Sequence, residues 1–306
     1  MNAYEVVLQG VEKSFETFHF GPFDLNIEPG VCTAFVGPNG SGKTTLFEML
    51  LNICRPDQGK ITLFGSEYEQ HDVDIKRRIG YVPDRSFIEE SSSRIEELAD
   101  FHNHWFPAWS KDKWNELSER FELNPKAKAN SLSKGMKRRL AFCLAIAQQP
   151  DLLILDEPSS GFDPYIWRIM LDVIREFMNS GEKNVLIATH TIEEVRRLAD
   201  YVAFLYGGKL LDYKEKDAML DEWKALWIES MDPDRLKLPG VVECEQGALT
   251  RFVTRNAALT EEALQAAGIP VIKRQSLELD EILHHMIAEK KHKEQAAKSR
   301  KGAENT

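Results

Sequence analysis

The 306-residue chain is 42% hydrophobic, enough to bury a full core and carry a second, smaller unit. Its 39 Lys and Arg stand against 49 Asp and Glu, a net charge of −10, which argues against a general nucleic-acid binder because such a surface must displace counterions from phosphates. The cysteines, Cys32, Cys54, Cys143 and Cys244, form no CxxC or Cys/His cluster, so they point to a reduced, cytosolic chain and not to a metal or disulfide framework.

The first residues, MNAYEVVLQGVEKSF, lack the basic region and apolar run of a signal peptide. YEVVL at 4–8 and VCTAFV at 31–36 are β-rich runs, and the second leads straight into GPNGSGKTT and a helical segment, LFEMLLNI. Around 94–125 the pattern becomes amphipathic, helical and rich in aromatics. LAFCLAIA, from Leu140 to Ala147, is the longest apolar stretch and falls far short of the roughly 18 residues that cross a bilayer. LLILD at 152–156 and NVLIATH at 184–190 read as strands attached to helices such as YIWRIMLDVIREFM. This alternation predicts an α/β fold: a mainly parallel sheet flanked by helices, with a helical insertion between its halves.

The character shifts near residue 217. ALWIES, GVVECEQ and LTRFVTRN read as strands, LTEEALQAAG as a helix, IPVIKRQSL as a strand and LDEILHHMIAE as a last helix. The expected division is a large domain over 1–216, a small α+β accessory domain over 217–288, and a polar, disordered tail over 289–306.

Two segments carry the chemistry most plainly. GPNGSGKTT fits the phosphate-binding pattern GxxxxGK[ST], in which glycines let successive N–H groups face one anion and the following helix adds the positive end of its dipole. Lys43 would reach the β- and γ-phosphates, and the Thr44 hydroxyl would ligate Mg2+. LLILDEP ends an apolar strand in two adjacent carboxylates. Neighbours on a strand face opposite ways, so Asp156 and Glu157 cannot act on the same site unless the chain turns between them. One suits Mg2+ and the other suits activation of water as a general base, although alone a solvated acidic turn explains them equally well. A third stretch, SLSKGMKRR at 131–139, reads either as a basic patch or as a phosphate-binding turn.

The ordered set GPNGSGKTT, YVPD, SLSKGMKRR, LLILDEP, SSGFDP and IATH resembles the ATP-binding subunit of an ABC transporter over residues 1 to about 215. It is most similar to exporter-type ATPases encoded separately from their membrane subunits. The resemblance implies a P-loop ATPase core with a helical subdomain at about 85–150, with ATP and Mg2+ as ligands. Asn39, Gly40, Ser41, Gly42, Lys43, Thr44 and Thr45 would wrap the phosphates; Phe15 would stack on adenine, with Phe18 and Phe20 as rivals. Thr44 and Asp156 would hold Mg2+, Glu157 would be the base, and His190 would contact the γ-phosphate and fix Glu157. Asp163 matches a loop that communicates between two ATP sites. Ser133 and Gly135 match the signature turn, which faces the nucleotide of the opposite subunit, so one chain cannot complete its own site.

The sequence departs from the family pattern in two places. Asp84 stands where most members carry Gln; it is shorter and charged, and it is both a candidate Mg2+ ligand and a candidate sensor of the transporter partner. In the signature turn Lys134 replaces Gly and Met136 replaces Gln. Of the cations, Lys134 is expected near the partner's nucleotide, and Lys137, Arg138 and Arg139 along the start of the following helix. The implied activity is an ATPase coupled to export, at the cytoplasmic face of the membrane. Its partners would be a second copy or a related ATPase subunit, and integral membrane permease subunits; nucleic acid is not among them. Two rivals are a soluble ABC ATPase of translation or DNA maintenance, disfavoured by the single cassette and absent heptads, and a nucleotide-dependent regulator, which the sequence leaves open.

Overall fold

Apolar runs buried on both faces organise the first of two units, Met1–Tyr213, in a computed structural model that describes residues 5–84, 88, 91–230 and 238–304, with side chains to 295. Its strands are β1 (Val6–Ser14), β2 (His19–Ile27), β3 (Cys32–Val36), β4 (Gln58–Leu63), β5 (Ile79–Val82), β6 (Leu152–Asp156), β7 (Asn184–Thr189), β8 (Tyr201–Tyr206) and β9 (Lys209–Glu215), which runs across the unit boundary. Its helices are α1 (Lys43–Leu50), α2 (Tyr68–Arg77), α3 (Ile95–Trp105), α4 (Lys111–Arg120), α5 (Lys134–Ala147), α6 (Pro164–Met178) and α7 (Ile192–Leu198).

The main sheet has the order β5-β6-β7-β3-β8-β9, and the pairs from β5 to β8 are parallel. Every residue of β3, β6 and β7 is buried, as central parallel strands covered by helices on both faces require. Side-chain alternation divides β6 between two cores. Leu152 and Ile154 join Phe35, Leu46 and Phe47 under a three-stranded antiparallel sheet of order β2-β1-β4. Leu153 and Leu155 join Phe121, Phe142 and Ile166 on the other face. The helical insertion therefore shares its core with the sheet: Ile95, Leu117 and Phe142 lie in the same cluster as Leu153 and Ile187.

Helix starts follow from local chemistry. Ser110 Oγ accepts the Lys113 N–H at the start of α4, and Asp163 accepts from Tyr165 and Ile166 at the start of α6, with Pro164 just inside it. Among the described residues no helix is long and apolar enough to cross a membrane.

The second unit, Lys214–Thr306, contains α8 (Lys216–Glu222), β10 (Lys224–Glu229), β11 (Val241–Glu245), β12 (Leu249–Thr254), α9 (Ala257–Ala266), β13 (Lys273–Ser276) and α10 (Leu279–Glu304). Its sheet has the order β11-β12-β10-β13 and is antiparallel, over a small core of Leu226, Ile228, Phe252 and Leu264. The stretch from 289, expected to be disordered, instead continues α10 to Glu304. Its Ala, Lys, Glu and Gln are strong helix formers, and Lys293 meets Glu289 one turn back at 2.7 Å.

Because Leu153 is fully buried where the sheet meets the helical insertion, Leu153→Ala should lower the unfolding free energy by about 2–5 kcal/mol. The midpoint of denaturant unfolding measures it.

Candidate functional site

The chemically loaded segments all leave the carboxyl ends of parallel strands: the glycine loop after β3, Asp84 after β5, Asp156 and Glu157 from β6, and His190 after β7. In open α/β sheets ligands bind in the crevice at such ends. Residues 39–45, Asp84, Asp156 and Glu157, together with Phe18, line one cleft of about 390 Å³.

Gly42 has φ +105°, and a methyl group there would sit 2.8 Å from the Phe20 ring, so the loop needs glycine at this point. Lys43 is buried, and its ammonium donates to the carbonyls of Gly37 at 2.7 Å and Pro38 at 3.4 Å. Burial pushes its pKa below the usual lysine value, against the opposing pull of Glu157 and Asp156.

Strand β6 delivers Asp156 to the floor of the cleft, where Thr44 Oγ1 donates to its Oδ2 at 3.4 Å. At Glu157 the backbone turns left-handed, φ +50°, which brings this side chain into the same cleft although its neighbour already occupies it. The Glu157 N–H donates to the Ala188 carbonyl at 2.8 Å, tying the turn to β7. Exposed His190 places Nδ1 2.8 Å from Glu157 Oε2.

Burial, with the negative charges of Glu157 and Asp84 nearby, pushes Asp156 up to about 6, although Lys43 and Thr44 act the other way. Such a group of hard oxygen donors, short of positive charge, suits Mg2+. Thr44 and Asp156 would hold the ion, and Asp84 offers a further oxygen in the same cleft. No group of three His, Cys, Asp or Glu among the described residues is arranged to hold a metal alone. That fits an ion bound by few carboxylates together with substrate phosphates.

Phe15, the first candidate for the adenine, does not line the cleft and is 44% exposed. Phe18 lines it, 6.2 Å from Phe15 between ring centroids, whereas Phe20 is fully buried under the loop. The extended strand β2 separates these roles: it starts at His19, so Phe20 turns into the core and Phe18 stays at the mouth.

Ser133, Gly135 and Asp163 form a second cluster outside the cleft lining. Ser133 caps α5, its Oγ accepting the Met136 N–H at 3.2 Å, and stays exposed. A methyl on Gly135 would lie 3.0 Å from the Gly161 carbonyl, so the turn packs against the SSGFDP loop. Asp163 accepts N–H bonds from Ile166 and Tyr165, which hold its carboxyl below the usual range, and it pairs with Arg139 at 3.3 Å.

Known proteins resemble this arrangement in sequence and in fold. A family model described as ABC transporter matches residues 20–160. Nod factor export ATP-binding protein I of Cupriavidus metallidurans is 33% identical over 256 residues, which cover 80% of this chain and 84% of the relative. The chain belongs to the ATP-binding subunits of ABC transporters. As such it binds and hydrolyses ATP, and that hydrolysis energises transport. Among solved structures, one described as the ATP-binding subunit of an ABC transporter has a TM-score of 0.65 at 22% identity, covering 71% of this chain and 92% of that one. A dimeric ATP-binding cassette in a post-hydrolysis state, bound to ADP and Pi, has a TM-score of 0.60 at 21% identity, covering 69% and 98%. At these identities both speak for the fold alone.

One residue of this ABC ATPase escaped the sequence reading. Arg138 lies along the start of α5, as expected of it with Lys137 and Arg139, but its side chain is 3% exposed and reaches under the acidic turn. The available signal was helical period: Arg138 lies three and four residues before Ala141 and Phe142, on the buried stripe.

Phe18→Ala should weaken ATP binding by about 1–3 kcal/mol, the range for base–aromatic stacking, and Phe15→Ala by clearly less. Titration with a fluorescent ATP analogue separates the two.

Proposed function

We propose that ATP is hydrolysed between two such subunits and that the cycle drives export through separate integral membrane subunits docked on the cytoplasmic side. The observation that carries this reading is the left-handed turn at Glu157, which aims its carboxylate into the cleft shared with Lys43 and Thr44, 2.8 Å from His190.

The roles follow from position. The N–H groups of residues 39–45 and the Lys43 ammonium bind and orient the phosphates, and Phe18 or its neighbour Phe15 receives the adenine. Bound Mg2+ would neutralise charge on the β- and γ-phosphate oxygens, held by Thr44 and Asp156. Glu157 orients the attacking water and takes its proton, and His190 holds the Glu157 carboxylate on line. Ser133, Gly135 and Asp163 sit outside the cleft of their own chain, which supports their use on the nucleotide of the opposite subunit, a second copy or a related chain. The dimeric cassette of similar fold gives such an arrangement a precedent, and the export function named for the Cupriavidus relative supports the direction of transport. We assign residues 217–288 to an accessory domain outside the hydrolytic machinery.

Glu157→Gln should keep ATP binding while phosphate release falls by about 10²-fold or more, the usual contribution of a general base. Unchanged turnover would remove Glu157 from that role. Ser133→Arg should bind nucleotide as a monomer and fail to dimerise with ATP on a sizing column. Dimerisation as in the unmodified chain would refute the assignment across subunits.

A further inference from the structure

The buried cation on α5 joins three parts of the site. Arg138 Nη1 donates to the carbonyls of Glu157 at 2.6 Å and Ser160 at 2.7 Å. Its Nη2 donates to the Asp84 carboxylate at 2.8 Å, to the Asp84 carbonyl at 3.0 Å, and to the Asp156 carbonyl at 3.5 Å. A guanidinium removed from water needs a counter-charge. Among the described residues Asp84 is the one carboxylate in ion-pair contact with it.

The geometry points to a latch: Asp84 neutralises Arg138 and does not serve as a Mg2+ ligand, and Arg138 in turn holds the Glu157 turn in its productive shape. This rests on the reading of Glu157 as the base, and makes Arg138 and Asp84 positioning residues for it.

Three physical arguments support the assignment. First, a left-handed glutamate persists only where its surroundings hold it. Here the Glu157 N–H is held by Ala188 and its carbonyl by Arg138, so the guanidinium is half of the clamp. Second, the Asp84 oxygen bonded to Arg138 makes a short, charge-assisted contact, and the cation beside it repels a divalent ion. Third, a neutral amide at position 84 would leave the buried cation without a neutralising partner, so the acidic residue answers a need of this chain. The latch also couples distance to chemistry. Asp84 leaves the end of β5, whereas Arg138 lies five residues beyond the signature serine on α5. A displacement of either segment strips the counter-charge from Arg138 and loosens the carbonyl end of the Glu157 turn.

The test uses the full chain with Asp84→Asn, Asp84→Glu, Arg138→Gln and the Asp84→Asn/Arg138→Gln double variant, measuring phosphate release against ATP and against Mg2+. A latch predicts that Asp84→Asn and Arg138→Gln each lower kcat by about 10-fold or more, and that the double variant is no slower than the worse single one, the signature of coupled residues. The half-saturating Mg2+ and the KM for ATP should stay within about twofold, because neither ligand is touched. Asp84→Glu, which keeps the charge, should recover part of the loss. A rise of about tenfold in half-saturating Mg2+ confined to the Asp84 variants would make Asp84 a metal ligand and overturn the latch, as would additive losses in kcat. If Arg138→Gln does not fold, Asp84→Asn decides alone, since its partly exposed site tolerates the change: reduced kcat at unchanged Mg2+ demand supports the latch, and raised Mg2+ demand refutes it. Failure of the Glu157 reading shows separately, as normal turnover in Glu157→Gln with the Mg2+ titrations still interpretable.

Discussion

Two adjacent carboxylates can act on one nucleotide only if the chain breaks strand alternation between them, and the left-handed backbone of Glu157 is that break. A non-glycine residue there costs about 1–3 kcal/mol, so neighbouring structure must hold it. β7 holds its N–H through Ala188, α5 holds its carbonyl through Arg138, and His190 holds its carboxylate. Two of these groups come from β7 and its end, and the third comes from α5. The Glu157 turn is therefore set by the packing of the sheet against the helical insertion, which share one core around Leu153 and Phe142.

The glycine loop and the acidic strand were legible in the sequence because their chemistry is local. In GPNGSGKTT the backbone donors, the lysine and the threonine lie within nine consecutive residues, and the burial of β3 and α1 follows from short-range apolar pattern. The need for a turn at Glu157 could also be read, since strand alternation alone demands it. The contacts of Arg138 are not legible in that way, although helical period places it on the buried stripe. Its partners lie 18 to 54 residues away, on segments whose proximity only the folded sheet creates, and a run of four cations masks the one that turns inward. The choice among Phe15, Phe18 and Phe20 is not legible for a different reason. It depends on where strand β2 begins, and strand ends are decided by pairing with β1, not by the local residues. Over 289–304 the low hydrophobicity that suggests disorder coexists with residues that favour helix, and the backbone there is helical.

Charge explains why the two halves of the site are kept apart. Asp84, Asp156 and Glu157 crowd one cleft whose own cations are Lys43, bent onto the carbonyls of its loop, and Arg138, buried beneath the acids. Burial first, and that crowding second, make Asp156 hold its proton more tightly. A nucleotide brings still more negative charge, so its binding requires a counter-cation together with the backbone donors of the loop. The signature turn offers the same kind of group, a capped helix N-terminus, with exposed Lys134 beside it. Within one chain that turn is spent packing Gly135 against Gly161, and Asp163 is committed to α6 and Arg139. Lying outside the cleft of their own chain, these donors fit the proposed use on a phosphate presented by another subunit. The cation run at 134–139 thus divides by depth: Lys134 stands at the surface, and Arg138 is turned inward to hold the carbonyl of the Glu157 turn.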